Sequence, residues 1–257
     1  MKKMKLDILI STYGNRIEKI KLPIYHANIN YIIVHQGYHQ IENIELTKRN
    51  DVTYIKTNTI GLTRSRNIAL NHSKSSLALI SDDDVVLSTN LYEKITSAYL
   101  REPFDIGIFK AITEYGDDFR VYPKNEKLFS KKDCLNVCSI EMVIHNNCKI
   151  RFNEKFGLGE NFTCCEESIY LIDAYRCNMK IKFIPEVIVS HPKISTATGA
   201  INKKILYSKG ALYKYSFGYA FSLLLIIRLA FFSQFCKKFN IKSTDAFKGL
   251  INGWKNI

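Results

Sequence analysis

Three consecutive carboxylates, Asp82-Asp83-Asp84, stand between the apolar runs Leu77-Ala78-Leu79-Ile80 and Val85-Val86-Leu87. Like charges so close repel one another, and a rim that carries them calls for positive compensation. A divalent cation supplies it: Mg2+ or Mn2+ is held by one or two carboxylates, with water and substrate phosphates completing its shell. The alternative is a solvated loop in which one Asp caps a helix beginning near Thr89. A second acidic pair, Glu166-Glu167, precedes a segment of helical character over residues 168–177. Carboxylates in a first helical turn are favoured by the macrodipole by about 0.3–1 kcal/mol. One of the two, fixed on a rigid helix start, is also suited to act as general base toward an attacking hydroxyl. His191 ends an apolar run, where a neutral ring nitrogen would complete a metal shell or a hydrogen bond would hold it structurally.

The elements that must position these groups are read from short apolar or β-branched runs at 6–10, 31–34, 52–55, 77–80 and 106–109. Between several of them lie helix-like segments at 63–74 and 89–100, the second with Leu91, Ile95, Ala98 and Tyr99 on one face. Strands alternating with helices predict an α/β fold of right-handed βαβ units and a mostly parallel sheet. Residues 181–185 and 186–192 read as two more strands or one bent pair. Such sheets bind ligands at the carboxyl ends of their strands. The loops expected on that rim are Ser11-Thr12-Tyr13-Gly14-Asn15-Arg16, His35-Gln36-Gly37 and Ser81-Asp82-Asp83-Asp84. None carries the G-x-G-x-x-G fingerprint or the G-x-x-x-x-G-K-[ST] phosphate loop, which argues against an NAD enzyme or a P-loop ATPase.

The chain has 257 residues, 46% of them hydrophobic, and a formal charge of +13. That excludes a disordered or collagen-like chain and leaves one domain, or one with an appendage. Seven cysteines without a C-x-x-C pair or zinc-like His spacing point to a reduced, cytoplasmic compartment. The apolar stretch after the N-terminal lysines is too short for a secretory signal. Residues 203–257 carry ten Lys or Arg against a single acid, Asp245, so most of the net charge lies there. Within them, residues 217–235 are apolar and aromatic apart from Arg228 and a few polar residues. Basic flanks around such a segment fit a membrane-contacting helix better than a nucleic-acid face. The alternative is a buried core helix. The expected division is therefore residues 1–200 as the α/β domain and 201–257 as a basic, apolar helical tail.

Taken together, DILISTYGNR at 7–16, GLTRSRN at 61–67, SDDDVVL at 81–87, FGLGENFTCCEES at 156–168 and IVSH at 188–191 resemble the family 2 glycosyltransferases of GT-A fold. The resemblance spans about residues 5–192 and implies a Rossmann-like sheet flanked by helices. It implies an inverting transferase of the polysaccharide-building type that uses Mn2+ or Mg2+ and a nucleoside-diphosphate sugar, with UDP as the default. Position by position, Asp82 and Asp84 are similar to the ends of the family's D-x-D motif, Asp82 near the ribose and Asp84 on the metal, with His191 a further ligand. Thr12, Arg16, Gln36, Arg66 and Asn67 fall where such enzymes contact the nucleotide. Glu166-Glu167 stands in place of the family's Glu-Asp pair, so that Glu167 is the implied base and Glu166 the alternative. The implied acceptor is a glycan or polyprenyl-linked hydroxyl, reached from the inner face of the cell membrane. Two rival readings are a nucleotidyltransferase acting on sugar phosphates and a non-catalytic, membrane-bound carbohydrate-binding protein.

Overall fold

The computed structural model of the chain describes residues 4–38, 43–192 and 203–257. In chain order the elements are β1 (Leu6–Tyr13), β2 (Ile29–Gln36), α1 (Ile44–Thr47), β3 (Val52–Thr57), α2 (Leu62–His72), β4 (Leu77–Asp82), β5 (Val86–Leu87), α3 (Leu91–Arg101) and β6 (Ile106–Thr113). There follow β7 (Lys127–Leu128), β8 (Met142–His145), α4 (Glu166–Arg176), β9 (Ile181–His191), α5 (Lys203–Phe217), α6 (Tyr219–Ile227), α7 (Phe235–Lys238) and α8 (Ser243–Lys255).

One sheet joins all nine strands in the order β3-β2-β1-β4-β8-β6-β9-β5, with β7 on β9. Strands β3, β2, β1 and β4 are parallel, as the alternating pattern predicts. Beyond them the sheet is mixed, because β8 enters antiparallel between β4 and β6. No α-helix separates β6 from β8, so the chain lacks the crossover a parallel return needs. The two candidate strands at 181–192 are a single strand, β9, whose pairing with β6 is irregular between Ile108 and Ala111. Pro185 lies inside β9 and has no N–H to give a ladder, which is consistent with the local irregularity.

Both faces of the sheet are covered. Leu6, Ile8, Leu77 and Leu79 join Leu91 and Ile95 of α3 in one core, while Leu9, Ala78 and Ile80 join Ala69 and Leu70 of α2 in another. Strands buried on both sides read as continuous apolar runs, which is why they were legible. The order β2-β1-β4 reverses direction at β1, and the β1–β4 register sets Ser11 beside Asp82. The switch point therefore opens at the carboxyl ends of these two strands.

The apolar segment 217–235 is broken. Gly218 adopts φ +74°, α6 follows, and residues Arg228–Phe232 form a π-helical turn. One face packs Ile226 and Ala230 against Leu206, Leu250 and Trp254. The other leaves Tyr219, Phe221, Leu224, Phe231 and Phe232 exposed. The packed face is that of a core helix, as the alternative reading expected, and the opposite face is exposed apolar surface. Among the described residues no helix is long and apolar enough to cross a membrane.

Helices α5 and α8 meet backbone to backbone. A Cβ on Gly210 would stand 1.8 Å from the Leu250 carbonyl oxygen, and one on Gly253 would stand 1.7 Å from that of Tyr207. Gly253→Ala must push the two helices apart, and overpacking of this kind costs about 1–3 kcal/mol. The expected result is a lower urea midpoint with an unchanged slope; an unaltered midpoint would contradict this crossing.

Candidate active site

Of the three aspartates only Asp83 is buried, and it organises the loop. Thr12 Oγ1 donates to Asp83 Oδ2 at 2.8 Å, and Arg16 Nε donates to both Asp83 oxygens at 2.9 Å. The Arg16 Nη2 group also contacts Asp83 and reaches Asp84 Oδ2 at 3.0 Å. Thr12 and Arg16, expected on the nucleotide, are thus turned to the middle aspartate. Arg16 nevertheless keeps its side chain 49% exposed, so its outer edge can still meet an anion.

Asp84 faces His191. Their Oδ1 and Nε2 atoms lie 3.3 Å apart, yet Asp84 Oδ1 is buried without an aligned hydrogen-bond partner. The His191 Nδ1 atom lies 2.7 Å from the Pro192 carbonyl oxygen, which can only accept, so Nδ1 carries a proton. Nε2 then offers a lone pair, or a second proton, toward Asp84. His191 beside it, with Arg16, holds the Asp84 carboxyl down to about 2 against the opposing effect of burial. Asp84 in turn raises His191, again against burial.

Asp82 belongs to a second cluster, built on Arg66. This guanidinium is 2% exposed, with Nη1 3.0 Å from Glu166 Oε1 and Nη2 3.2 Å from Asp82 Oδ1. Nη2 also donates to Ser139 Oγ at 2.7 Å, and Glu167 Oε1 lies 3.8 Å from Nη1. Arg66 and α4 meet because loop 157–160 lies on the start of α2. Gly61 there has φ +124°, and a Cβ on it would stand 2.2 Å from Glu160 Oε1. Leu62 N donates to the Leu158 carbonyl at 3.0 Å, fastening the same loop.

One guanidinium faces three carboxylates, and the imbalance falls on Glu167. Burial first, then the neighbouring Glu166, pushes its carboxyl up to about 8, although Arg66 works in the other direction. Glu166 is the buried partner of Arg66, whereas Glu167 keeps 16% of its side chain exposed and lies farther from the guanidinium, at 3.8 Å. A carboxyl that titrates near neutrality and still meets solvent is suited to take a proton.

The remaining sequence candidates serve the framework. Gln36 Nε2 donates to the Gly61 carbonyl at 3.1 Å. Asn67 grips residue 152 at both ends, with Nδ2 2.9 Å from the carbonyl and Oδ1 2.8 Å from the N–H of Phe152. Sequence reasoning missed Asp83 as the anchor, and it missed Ser139 and Glu141. Glu141 is fully buried, accepts Arg120 Nη2 at 2.7 Å and Tyr122 OH at 2.5 Å, and fixes the turn that presents Ser139 to Arg66. A lone acid inside the apolar stretch 140–144 was the available signal, since a buried carboxylate demands a partner.

Among the described residues no group of three or more His, Cys, Asp or Glu is arranged to hold a metal unaided. Asp84 and His191 nevertheless fit a cation that takes its other ligands from water and substrate. The buried, unaligned Asp84 Oδ1 beside His191 Nε2 is a pair of donors that a cation between them would satisfy. Asp82 is engaged with Arg66 instead.

The fold is shared with solved structures. S. aureus TarS 1-349 in complex with UDP superposes with a TM-score of 0.59 and 14% identity, over 97% of this chain and 81% of that one. The same protein in complex with UDP-GlcNAc gives 0.62 and 13%, over 96% and 79%. No curated protein matches the sequence. A family model described as Glycosyl transferase family 2 matches residues 17–165, a span that holds Gln36, Arg66, Asn67 and the three aspartates. With more than half of its length matched, the chain belongs to glycosyl transferase family 2.

Proposed function

We propose that this family 2 glycosyltransferase moves a sugar from a nucleoside diphosphate, UDP first, to a hydroxyl of a glycan or polyprenyl-linked acceptor, with inversion. The observation that carries the reading is the Arg66 bridge, which ties Asp82 at the end of β4 to Glu166 and Glu167 at the start of α4. It supports a donor site and an acceptor-side base at one crevice. The donor's diphosphate lies over the ends of β1 and β4, where Arg16 attracts it. Asp84 and His191 would hold Mg2+ or Mn2+, which supplies neutralisation of the diphosphate's charge. Glu167 takes the acceptor's proton as its oxygen attacks the anomeric carbon from the face opposite the leaving group. A retaining route would need a second, nucleophilic carboxylate on the order of 5 Å from the first, and no residue is assigned that part.

Assays with UDP-sugars and candidate glycan acceptors test this. The expected products are free UDP and a glycosidic bond of inverted configuration, read by proton NMR. Pyrophosphate released from a nucleoside triphosphate plus sugar phosphate would replace this reading with the nucleotidyltransferase one.

The acceptor's setting follows from the C-terminal helices. Phe221, Leu224, Phe231 and Phe232 are exposed beside Arg228 and Lys237, an amphipathic surface suited to anionic lipid. It would keep the enzyme peripheral, at the cytoplasmic face of the membrane. The expected result is cosedimentation with phosphatidylglycerol vesicles that is lost at high salt and in the triple variant Phe221→Ser, Leu224→Ser, Phe232→Ser. Equal binding by that variant would remove the face from the proposal.

A further inference from the structure

The loop that leads into α4 carries two adjacent thiols. Cys164 and Cys165 have their sulfurs 3.5 Å apart, and both residues are partly exposed. Cys165 stands at the N-cap of α4 in the left-handed region, φ 79° and ψ 11°, and its carbonyl accepts the Ile169 N–H at 3.0 Å. The next two residues are Glu166 and Glu167. We infer that Cys164 and Cys165 form a reversible oxidation site, closed to a disulfide by hydroperoxides, whose closure displaces Glu167. The part about Glu167 rests on its proposed role as base; the chemistry of the thiols does not.

The two sulfurs are unlike. Contact with Cys165, then Ser208 and Lys209, lowers the Cys164 thiol against its burial, while the same contact and burial raise Cys165. Ser208, a hydrogen-bond partner of Cys164 and not of Cys165, favours Cys164 as the attacking thiolate. It displaces alkoxide, or hydroxide, from the peroxide and becomes a sulfenic acid, its sulfur oxidised and the O–O bond broken. Cys165 then attacks that sulfur: the S–S bond forms, the S–O bond breaks, and hydroxide leaves with the thiol proton as water. Overall, two thiols and one hydroperoxide give one disulfide, one alcohol and one water.

Geometry makes the product labile. Cα atoms across a trans peptide are about 3.8 Å apart, below the roughly 4.4–6.8 Å usual for a disulfide. The ring must twist the backbone at Cys165, and strained disulfides are the easily reduced ones. Cys165 caps α4, so the twist is delivered to the turn that carries Glu166 and Glu167.

The test uses the full-length protein treated with hydrogen peroxide and then with dithiothreitol. The peptide spanning both residues should lose about 2 Da, the two thiol hydrogens. Sugar transfer should fall by about 100-fold, the scale of a small misplacement of a reacting group. Dithiothreitol should reverse both changes. Cys164→Ser and Cys164→Ala should be protected from both, and Cys177→Ser, which removes an exposed thiol elsewhere, should respond like wild type. An unchanged or oxygen-bearing peptide overturns the site. Inactivation that persists in both Cys164 variants, or a closed ring with full activity, overturns its link to the base. If Glu167→Gln is fully active, the base assignment fails while the mass result stands on its own.

Discussion

Glu167→Gln lowers sugar transfer by about 10²–10⁴-fold, the usual contribution of a positioned base, and leaves nucleotide binding intact. The amide fills the same space but cannot take a proton. In the unaltered enzyme the burial and Glu166 that push Glu167 up to about 8 also set the pH profile. The base acts only when ionised, so activity is low in acid and rises through neutrality toward a plateau above that value. Glu166→Gln separates the two glutamates. It keeps an acceptor for Arg66 Nη1 but removes one negative charge beside Glu167, so the rising limb moves to lower pH while turnover on the plateau persists. If Glu166→Gln abolishes turnover and Glu167→Gln does not, their parts are exchanged. If neither alters the profile, the base lies elsewhere.

Much of this arrangement was legible because its causes are local. The runs at 6–10 and 77–80 are buried on both faces of the sheet and apolar but for Asp7, and the polar residues directly after them had to lie on the rim. That Asp84 and His191 share a site was implied by the family resemblance, and the acidic start of α4 followed from its helical spacing. What could not be read was the direction of each side chain. Asp83, the middle of the triplet, takes Thr12 and Arg16, a distinction set by how the chain turns after β4. Asn67 closes on Phe152, and only the path of a loop 85 residues away decides that. Arg66 reads as a nucleotide contact in sequence, yet it is buried beneath three carboxylates whose convergence depends on glycine-mediated contact between loop 157–160 and α2. The mixed half of the sheet was missed for another reason: β8 has four residues and no periodicity long enough to register.

Asp84→Asn is expected to erase the cation-dependent part of nucleotide binding. The substitution preserves shape and one carbonyl oxygen, but it removes the charge that His191 and Arg16 now face. A ligand present at 100 times its dissociation constant stabilises the folded state by about 2.7 kcal/mol. For a chain of this size that is a rise in melting temperature of roughly 5–10 °C. Wild-type protein with UDP should show most of this rise only when Mn2+ is added. Asp84→Asn should show the same small rise with and without Mn2+, and turnover lowered by about 10²–10³-fold, the scale of losing one preorganised electrostatic contact. His191→Gln keeps the carboxylate and should retain part of the Mn2+ increment. An Asp84→Asn protein that keeps the whole increment places the cation away from β4. One that keeps full turnover as well separates the aspartates from the chemistry, because nothing else on that rim pairs a buried, unaligned carboxylate oxygen with an imidazole nitrogen among the described residues.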